Sequence, residues 1–154
     1  MLVPTPVTTP IRVLIVDDYR TVLWGMARLI QGESPRLELV GVAGNRTDAL
    51  LAARHARPHI VLLDSVLDSD NGLDLIPELN SMGGMRVIVL SAAPDAELQR
   101  RARTMGAYSA MGKAAPAELL LRTIDRVHQI GRWIDAQAEE TPATRVHQVG
   151  IPSR

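Results

Sequence analysis

Residues 12–18 read RVLIVDD, a nearly continuous apolar run that ends in two aspartates. The same pattern returns at residues 60–64 as IVLLD and at residues 87–91 as VIVLS. Short apolar runs without polar alternation are typical of strands that are covered on both faces, as in a parallel sheet. Ligands of such sheets bind beyond the carboxyl ends of the strands. We therefore expect the polar residues that end these three runs to lie together at one edge of a sheet.

Five apolar runs alternate with helical patterns along the chain. The runs are Arg12–Val16, Leu37–Ala43, Ile60–Leu63, Val87–Leu90 and Ala107–Met111. The second helix is expected to be capped by Asn45, the fourth to begin at Pro94 and the fifth at Pro116. Pro77 requires the third helix to start late or to bend. Strict alternation predicts an α/β fold, a doubly wound five-stranded parallel sheet with right-handed crossovers.

The composition fits one globular domain. The chain has 154 residues, of which 46% are hydrophobic and 22% charged. Without cysteine it can form neither disulfides nor cysteine-based zinc sites. Seventeen basic and seventeen acidic side chains leave no net charge that would favour nucleic acid or an anionic membrane. No apolar run approaches the roughly 20 residues of a membrane span, so we expect a cytoplasmic protein.

The two ends of the chain read differently from its centre. Residues 1–10 contain three prolines and no charged side chain, which indicates a flexible leader rather than a secretory signal. Residues 11–133 form the predicted domain. Residues 134–154 turn polar and read as a linker or disordered tail, too short for a packed helix-turn-helix domain.

The predicted edge of the sheet gathers groups suited to phosphoryl chemistry. Asp17, Asp18 and Asp64 end two of the strands, Ser91 ends a third, and Lys113 follows the fifth. Carboxylates about 5 Å apart repel by roughly 1–3 kcal/mol per pair, so the site favours a cation. Oxygen ligands without histidine or cysteine suit Mg²⁺. An ionised aspartate can attack phosphorus, and Mg²⁺ with an ammonium neutralises the transferred group.

Lys113 is the only lysine of the chain, and the other sixteen Lys/Arg positions are all arginine. A compact ammonium on a flexible stem fits a crowded phosphate pocket better than a planar guanidinium does. The choice of lysine at this one place agrees with a phosphate site at the sheet edge.

Four segments together resemble the receiver domain of bacterial two-component response regulators. They are VLIVDDYRTVLWGMARLI (13–30), IVLLDSVLDSDNGLDLI (60–76), RVIVLSA (86–92) and MGAYSAMGK (105–113). The resemblance covers about residues 11–133 and is strongest to the branch whose receivers precede a LuxR-type helix-turn-helix output domain. It implies a flavodoxin-like (βα)5 fold with strand order 2-1-3-4-5.

The resemblance also implies a set of site residues. Asp64 would be the phosphoacceptor, taking a phosphoryl group from a histidine kinase or a small phosphodonor. The implied Mg²⁺ ligands are Asp17, largely through water, Asp18, Asp64 and the backbone carbonyl of Val66. Ser91 and Lys113 would contact the phosphoryl group, with Tyr108 and Ala110 in the switch region.

The resemblance implies a signalling phosphoacceptor rather than an enzyme with turnover. Its partners would be a sensor histidine kinase, a DNA-binding output domain in a longer protein, and a second copy in a homodimer. It implies neither membrane attachment nor direct binding of nucleic acid by this chain.

The sequence departs from the family pattern at three places. Leu67-Asp68 stands where members commonly have Met-Pro, and Ala114 where many have proline. Ala110 takes the position of the switch aromatic, and Tyr108 is expected two residues earlier on the same strand face as a partial substitute.

Other residues have simpler interpretations. Ser91 has a second interpretation as the cap of the fourth helix, and Asn71-Gly72 reads as a turn. Arg100, Arg101 and Arg103 together read as a solvated helix end, and the four histidines lack ligand spacing.

Two alternatives remain open at this stage. A haloacid-dehalogenase-like phosphatase also combines an aspartate nucleophile with Mg²⁺, but it needs an Asp-x-Asp pair where this chain has Asp17-Asp18-Tyr19. A pseudo-receiver would bind partners without phosphorylation, and Asp68 and Ala110 leave that reading in place.

Overall fold

A computed structural model describes residues 9–136, so most of the predicted leader and residues 137–154 of the predicted tail lie outside the described residues. The strands are β1 (Ile11–Val16), β2 (Leu37–Ala43), β3 (Ile60–Asp64), β4 (Val66–Leu67), β5 (Asp70–Asn71), β6 (Arg86–Ser91) and β7 (Ser109–Gly112). The helices are α1 (Arg20–Gln31), α2 (Arg46–Ala56), α3 (Leu75–Ser81), α4 (Ala96–Met105) and α5 (Ala117–Ile130), with a 3₁₀ turn at Gly72–Asp74. Within this part of the chain, no helix is both long and apolar enough to cross a membrane.

Five strands form a parallel sheet in the order β2-β1-β3-β6-β7, while β4 and β5 form a separate antiparallel hairpin. Counted without the hairpin, the order is 2-1-3-4-5, which confirms the doubly wound, flavodoxin-like fold. The register brings the carboxyl ends of the strands level. Asp64 at the end of β3 stands opposite Leu90, and Ser91 at the end of β6 stands opposite Gly112. Polar residues after different strands therefore meet at one edge.

Both faces of the sheet are covered by helices. One core cluster joins the sheet to α2, α3 and α4, and the other joins it to α1 and α5. Neighbouring residues of one strand divide between the clusters, as Leu62 and Leu63 do in β3. Because each face needs apolar side chains, β3 is buried at every position, which explains its continuous apolar sequence.

Capping decides where the helices begin. The Asn45 side chain accepts the N–H of Asp48 at 2.8 Å, as predicted for α2. Pro94, however, does not open α4: the Asp95 carboxylate accepts the N–H of Leu98 at 2.9 Å, and the helix begins at Ala96. The prediction was wrong because an aspartate that satisfies a free helix N–H determines the start more strongly than the fixed backbone angle of proline.

Proline also precedes α5, which begins one residue after Pro116. Pro77 is the third residue of α3, where its missing N–H costs no helical hydrogen bond. Of the two alternatives, a late start and a bend, the structure shows the late start.

The last strand of the sheet is shorter and later than predicted. The apolar run predicted a strand from Ala107, but β7 begins at Ser109. Gly106 adopts φ +105°, and the N–H of Ala107 bonds to the carbonyl of Ala102. Ala107 therefore belongs to the turn that ends α4, and its burial rather than its strand geometry explains its apolar character.

His59 and His128 meet at the end of the sheet opposite the aspartates, with ring centroids 5.1 Å apart. Nδ1 of His59 accepts the backbone N–H of Arg12 at 2.9 Å, so the neutral ring carries its proton on Nε2. Burial lowers the pKa of His59, and the nearby His128 and Arg12 lower it further. The folded protein thus favours the neutral form of His59.

The His59 contact predicts a loss of stability in mild acid. Because the pKa of His59 is lower in the folded chain, its contribution is complete above the unfolded-state pKa of about 6.5 and falls as the pH drops below that value. His59→Asn, which keeps an acceptor but cannot titrate, should flatten the pH dependence of the unfolding free energy between about pH 7 and 5. Urea unfolding across that range measures it, with the exposed His55→Asn as control. Equal slopes for wild type and His59→Asn would contradict it.

Candidate functional site

Three aspartates meet at the carboxyl edge of the sheet. Asp17 and Asp18 follow β1, and Asp64 ends β3. One carboxylate oxygen from each lies within 4.8 Å of the other two. Asp17 is 0% and Asp64 4% exposed, whereas Asp18 faces solvent. The grouping predicted from the strand ends is confirmed.

Lys113 supplies the positive charge of the cluster. Its Nζ lies 2.7 Å from Oδ2 of Asp17 and 3.1 Å from Oδ2 of Asp64. Its backbone N–H donates to the carbonyl of Ser91 at 2.8 Å, which fixes the chain leaving β7 against the end of β6. Three ionised carboxylates and one ammonium leave a formal charge of −2. That excess matches a divalent cation.

The pKa shifts reflect this imbalance. Burial raises the pKa of Asp64 above its ordinary value, the Val66 N–H and Lys113 oppose that effect, and the charge of Asp17 adds to it. Burial lowers the pKa of Lys113, but the ion pairs with Asp17 and Asp64 outweigh burial and raise it overall. The ammonium is therefore held firmly charged beside a carboxylate that carries a desolvation cost.

The donor set fits a hard cation such as Mg²⁺. All three side chains offer oxygen, and the buried Oδ2 of Asp17 has the Lys113 ammonium 2.7 Å away but no other polar partner among the described residues. Oxygen ligands without nitrogen or sulfur are the kind that Mg²⁺ prefers. The N–H of Val66 donates to Oδ1 of Asp64 at 3.2 Å, so the Val66 backbone lies beside the cluster. Coordination by the Val66 carbonyl stays a prediction.

Ser91 lies buried at the end of β6. Its Oγ accepts the N–H of Ala93 at 3.0 Å, which ties the hydroxyl to its own loop. The predicted capping of α4 by Ser91 was wrong, because Asp95 fills that position. The hydroxyl proton is still available to donate to a group placed at the cluster.

The two predicted switch residues lie on opposite faces of the sheet. Ala110 packs in the cluster under α4, and its carbonyl accepts Nε2 of Gln99 at 2.9 Å. Tyr108 packs on the α5 side, with the Arg86 guanidinium 5.4 Å from its ring centroid. The expectation of a shared face was wrong because β7 begins after Tyr108, so strand alternation does not extend to it.

Tyr19 is a neighbour of the site that the sequence analysis did not single out. Its N–H donates to Oδ1 of Asp17 at 2.8 Å, and Nζ of Lys113 lies 5.7 Å from its ring centroid. The ring is 67% exposed. Its position directly after the aspartates was the available signal, since an aromatic there can reach a cation at the same edge.

The β4–β5 hairpin explains one departure from the family pattern. Asp68 and Ser69 form its two-residue turn with φ +52° and +63°, the signature of a type I′ turn. Proline, fixed near φ −65°, cannot occupy position 68 of such a turn. The Asp68 N–H donates to Oδ2 of Asp18 at 3.1 Å, so the turn also braces an acidic ligand candidate.

Gly72 permits the chain to pass close behind Asp64. A Cβ at this position would lie 2.1 Å from the carbonyl oxygen of Asp64, far inside contact distance. The Gly72 N–H also donates to the carbonyl of Ser65 at 2.9 Å. The sequence indicated a turn here, but not that the turn supports the backbone of the central carboxylate.

Gly72→Ala should therefore displace the Asp64 backbone and lower the free energy of unfolding by about 1–3 kcal/mol, the usual cost of overpacking. Chemical denaturation measures the loss. Gly25→Ala in α1 is the matched control: a Cβ there meets nothing within 4 Å, and alanine favours a helix by about 0.5–1 kcal/mol. Equal stability of Gly72→Ala and wild type would contradict the close approach.

Known proteins with similar sequences include response regulators. Residues 13–125 match the model of the response regulator receiver domain. Response regulator GacA of Pseudomonas aeruginosa is 30% identical over 139 residues, covering 90% of this chain and 64% of GacA. Protein-glutamate methylesterase/protein-glutamine glutaminase 1 of Rhizobium johnstonii is 32% identical over 114 residues, covering 73% of this chain and 33% of that protein. The chain thus spans about a third of the methylesterase and less than two thirds of GacA.

Solved structures show the same fold. A two-component response regulator of the LuxR family from Aurantimonas sp. SI85-9A1 superposes with a TM-score of 0.75 at 24% identity, covering 89% of this chain and 99% of that one. The match over residues 13–125 takes in β3 and the whole acidic cluster with Lys113, so this chain belongs to the response regulator receiver-domain family.

Proposed function

We propose that this chain is a phosphoacceptor of a two-component system. Asp64 would accept a phosphoryl group from the phosphohistidine of a sensor kinase, or from a small phosphodonor. The observation that carries the proposal is the place of Asp64: its buried carboxylate lies 3.1 Å from the Lys113 ammonium, inside a cluster of three aspartates. A nucleophile, a charge-neutralising ammonium and acidic cation ligands are what phosphoryl transfer to a carboxylate requires.

The proposed transfer begins when a carboxylate oxygen of Asp64 attacks phosphorus. The new P–O bond forms as the P–N bond of phosphohistidine breaks, and its electron pair stays on the imidazole nitrogen. Lys113 remains paired with the charge that moves onto the phosphoryl oxygens. Asp17, Asp18 and Asp64 would hold Mg²⁺, which when bound supplies further neutralisation of that charge.

The same site offers a way to pass on the change. The phosphoryl group adds about −1.5 to −2 charges and new acceptor oxygens. The Ser91 hydroxyl can donate to one of them while its oxygen still accepts the N–H of Ala93. A shift of Ser91 toward the phosphoryl group would then move the loop leading to α4, a helix that buries only Leu98 and Ala102. Weakly packed elements move at small cost in free energy.

The output of this switch is proposed to be transcriptional control. The segments DDYRTVLWGM (17–26) and VGVAGNRTDAL (40–50), with the terminal GRWI (131–134), resemble LuxR-branch receivers. A DNA-binding output domain in a longer protein, a cytoplasmic location and pairing with a second copy belong to this proposal. The methylesterase relative shows that related receivers also occur in a protein with a different output.

The proposed receiver differs from two alternative functions, a phosphatase and a pseudo-receiver, in which residue, if any, accepts the phosphoryl group. A haloacid-dehalogenase-like phosphatase would use Asp17 as nucleophile and needs a second acid two residues later, where this chain has Tyr19. A pseudo-receiver would take up no phosphoryl group. The complete acidic cluster with Lys113 favours the receiver over both.

Intact-mass analysis after incubation with Mg²⁺ and acetyl phosphate tests the acceptor. Wild type should gain one phosphoryl adduct that Asp64→Asn and chelator abolish, because only a deprotonated Asp64 oxygen can attack phosphorus. Asp70→Asn, which changes an exposed carboxylate of the nearby hairpin, should still form the adduct. Steady release of inorganic phosphate without an adduct would favour the phosphatase. Neither an adduct nor phosphate release would favour the pseudo-receiver.

Binding of Mg²⁺ should stabilise the folded chain. At a concentration 100 times the dissociation constant the gain is about 2.7 kcal/mol, since the unfolded chain lacks the site. Thermal unfolding with Mg²⁺ and with chelator measures this gain. Asp18→Asn should lose most of it and still fold, because Asp18 faces solvent. A metal-induced shift of Asp18→Asn as large as that of wild type would exclude Asp18 as a ligand.

A further inference from the structure

The chain does not leave the domain where α5 ends. Gly131 adopts φ +73°, and Nη1 of Arg86 donates to the last carbonyls of the helix, those of Val127 at 2.6 Å and His128 at 2.7 Å. A Cβ at Gly131 would lie 3.1 Å from Nη2 of the same arginine. This tight turn sends the chain back along the outer edge of the sheet, beside β7.

Residues 132–136, here called the strap, lie beside the start of β7, and residues 132–135 are irregular in structure. The N–H of Ile134 donates to the carbonyl of Tyr108 at 2.7 Å, and Oγ of Ser109 donates to the carbonyl of Ile134 at 2.7 Å. Trp133 packs against the core cluster under α4, while Ile134 packs in the cluster under α5. The two side chains thus lie on opposite faces of the sheet, and the strap covers part of an edge that would otherwise be open.

Ile134 and Ala136 are both buried, although the sequence analysis placed them in the linker. The two residues extend the packed part of the chain to the last residue that the structure describes. The strap is therefore held by one backbone hydrogen bond, one bond from the Ser109 hydroxyl, and packing on both faces of the sheet.

The strap also contacts the element that the proposed switch would move. The guanidinium of Arg103 on α4 lies 5.7 Å from the centroid of the Trp133 ring. The same helix is tied to β7 through Gln99 and the carbonyl of Ala110. At the other end of β7, the N–H of Lys113 is bonded to Ser91. The strap, α4 and the acidic site thus share one four-residue strand as their common support.

We propose that the outer edge of β7 together with α4 is a binding surface for this chain's own residues 132–136, and that a phosphoryl group on Asp64 releases the Trp133 end of this strap from α4. The proposal rests on the proposed function. When Ser91 moves toward the phosphoryl group, the loop that connects β6 to α4 moves with it and displaces α4. This displacement of α4 carries Arg103 away from Trp133. Because α4 buries only two side chains, a small displacement breaks the Arg103 contact and frees the Trp133 end of the strap, while Ile134 and Ala136 stay packed in the cluster under α5.

Trp133 is a built-in reporter of this release. The chain has two tryptophans, and the other, Trp24, is 65% exposed on α1. Trp24→Phe therefore leaves Trp133 as the single tryptophan, which can be excited selectively over the two tyrosines. After Mg²⁺ and acetyl phosphate, Trp133 emission should shift to the red, and its acrylamide quenching constant should rise about twofold or more as the strap population changes. Intact mass on the same samples gives the phosphorylated fraction.

Matched variants separate the steps, all in the Trp24→Phe background with circular dichroism to verify folding. Asp64→Asn should show no change in Trp133. Arg103→Gln should raise the quenching constant before phosphorylation, whereas Arg101→Gln, two residues away on another side of the helix, should not. An adduct on Asp64 with unchanged or blue-shifted Trp133 emission would overturn the release and leave the phosphoacceptor intact. Absence of the adduct would overturn both.

Discussion

The ammonium of Lys113 between two buried carboxylates is the interaction on which the site depends. Asp17 and Asp64 come from neighbouring strands and would repel each other without a cation between them. Lys113 arrives from the far edge of the sheet, two strands beyond β3, so the parallel register of β3, β6 and β7 must be in place before the three groups can meet. The alternation of apolar strands with helices along the chain therefore serves the chemistry as well as the stability of the fold. It brings three segments that are distant in sequence to one edge of the sheet.

Around the aspartates and Lys113, the backbone allows chain segments to approach closely and supplies N–H groups that donate to the carboxylates. Gly72 lets the chain pass behind Asp64, and the turn at Asp68 points an N–H at Asp18. Tyr19 donates its own N–H to Asp17 and lays its ring near the ammonium. Each carboxylate is thus oriented by a backbone N–H, from a near neighbour for Asp17 and Asp64 and from the β4–β5 turn for Asp18. Their charge is balanced by Lys113, which is distant from all three in sequence. The backbone N–H groups therefore hold the aspartates in position, and the negative charge that Lys113 does not balance can be neutralised by a bound cation.

The sequence predicted the doubly wound parallel sheet and the grouping of Asp17, Asp64 and Lys113 because continuous apolar strands and their polar ends are local patterns, whereas the strand order was implied by the family resemblance. It did not predict the start of α4, where Asp95 competes with Pro94, or the side of the sheet that Tyr108 faces, which depends on where β7 begins. The support from Gly72 and the contact between Trp133 and Arg103 depend on segments far apart in sequence. Such contacts leave no periodic signal, so only the folded chain shows them.

The occupied edge of β7 bears on how this domain can be joined to other proteins. An artificial fusion that ends the receiver at Trp133, as a helix-based boundary suggests, removes the backbone donor of Ile134 and the burial of Ala136. The carbonyl of Tyr108 then faces the outside, and an open strand edge invites pairing with another chain. A junction placed after Ala136 keeps the edge covered. The two boundaries lie three residues apart. For chimeric sensors built on this domain, the choice between them decides whether the sheet edge is covered or is open to pairing with another chain.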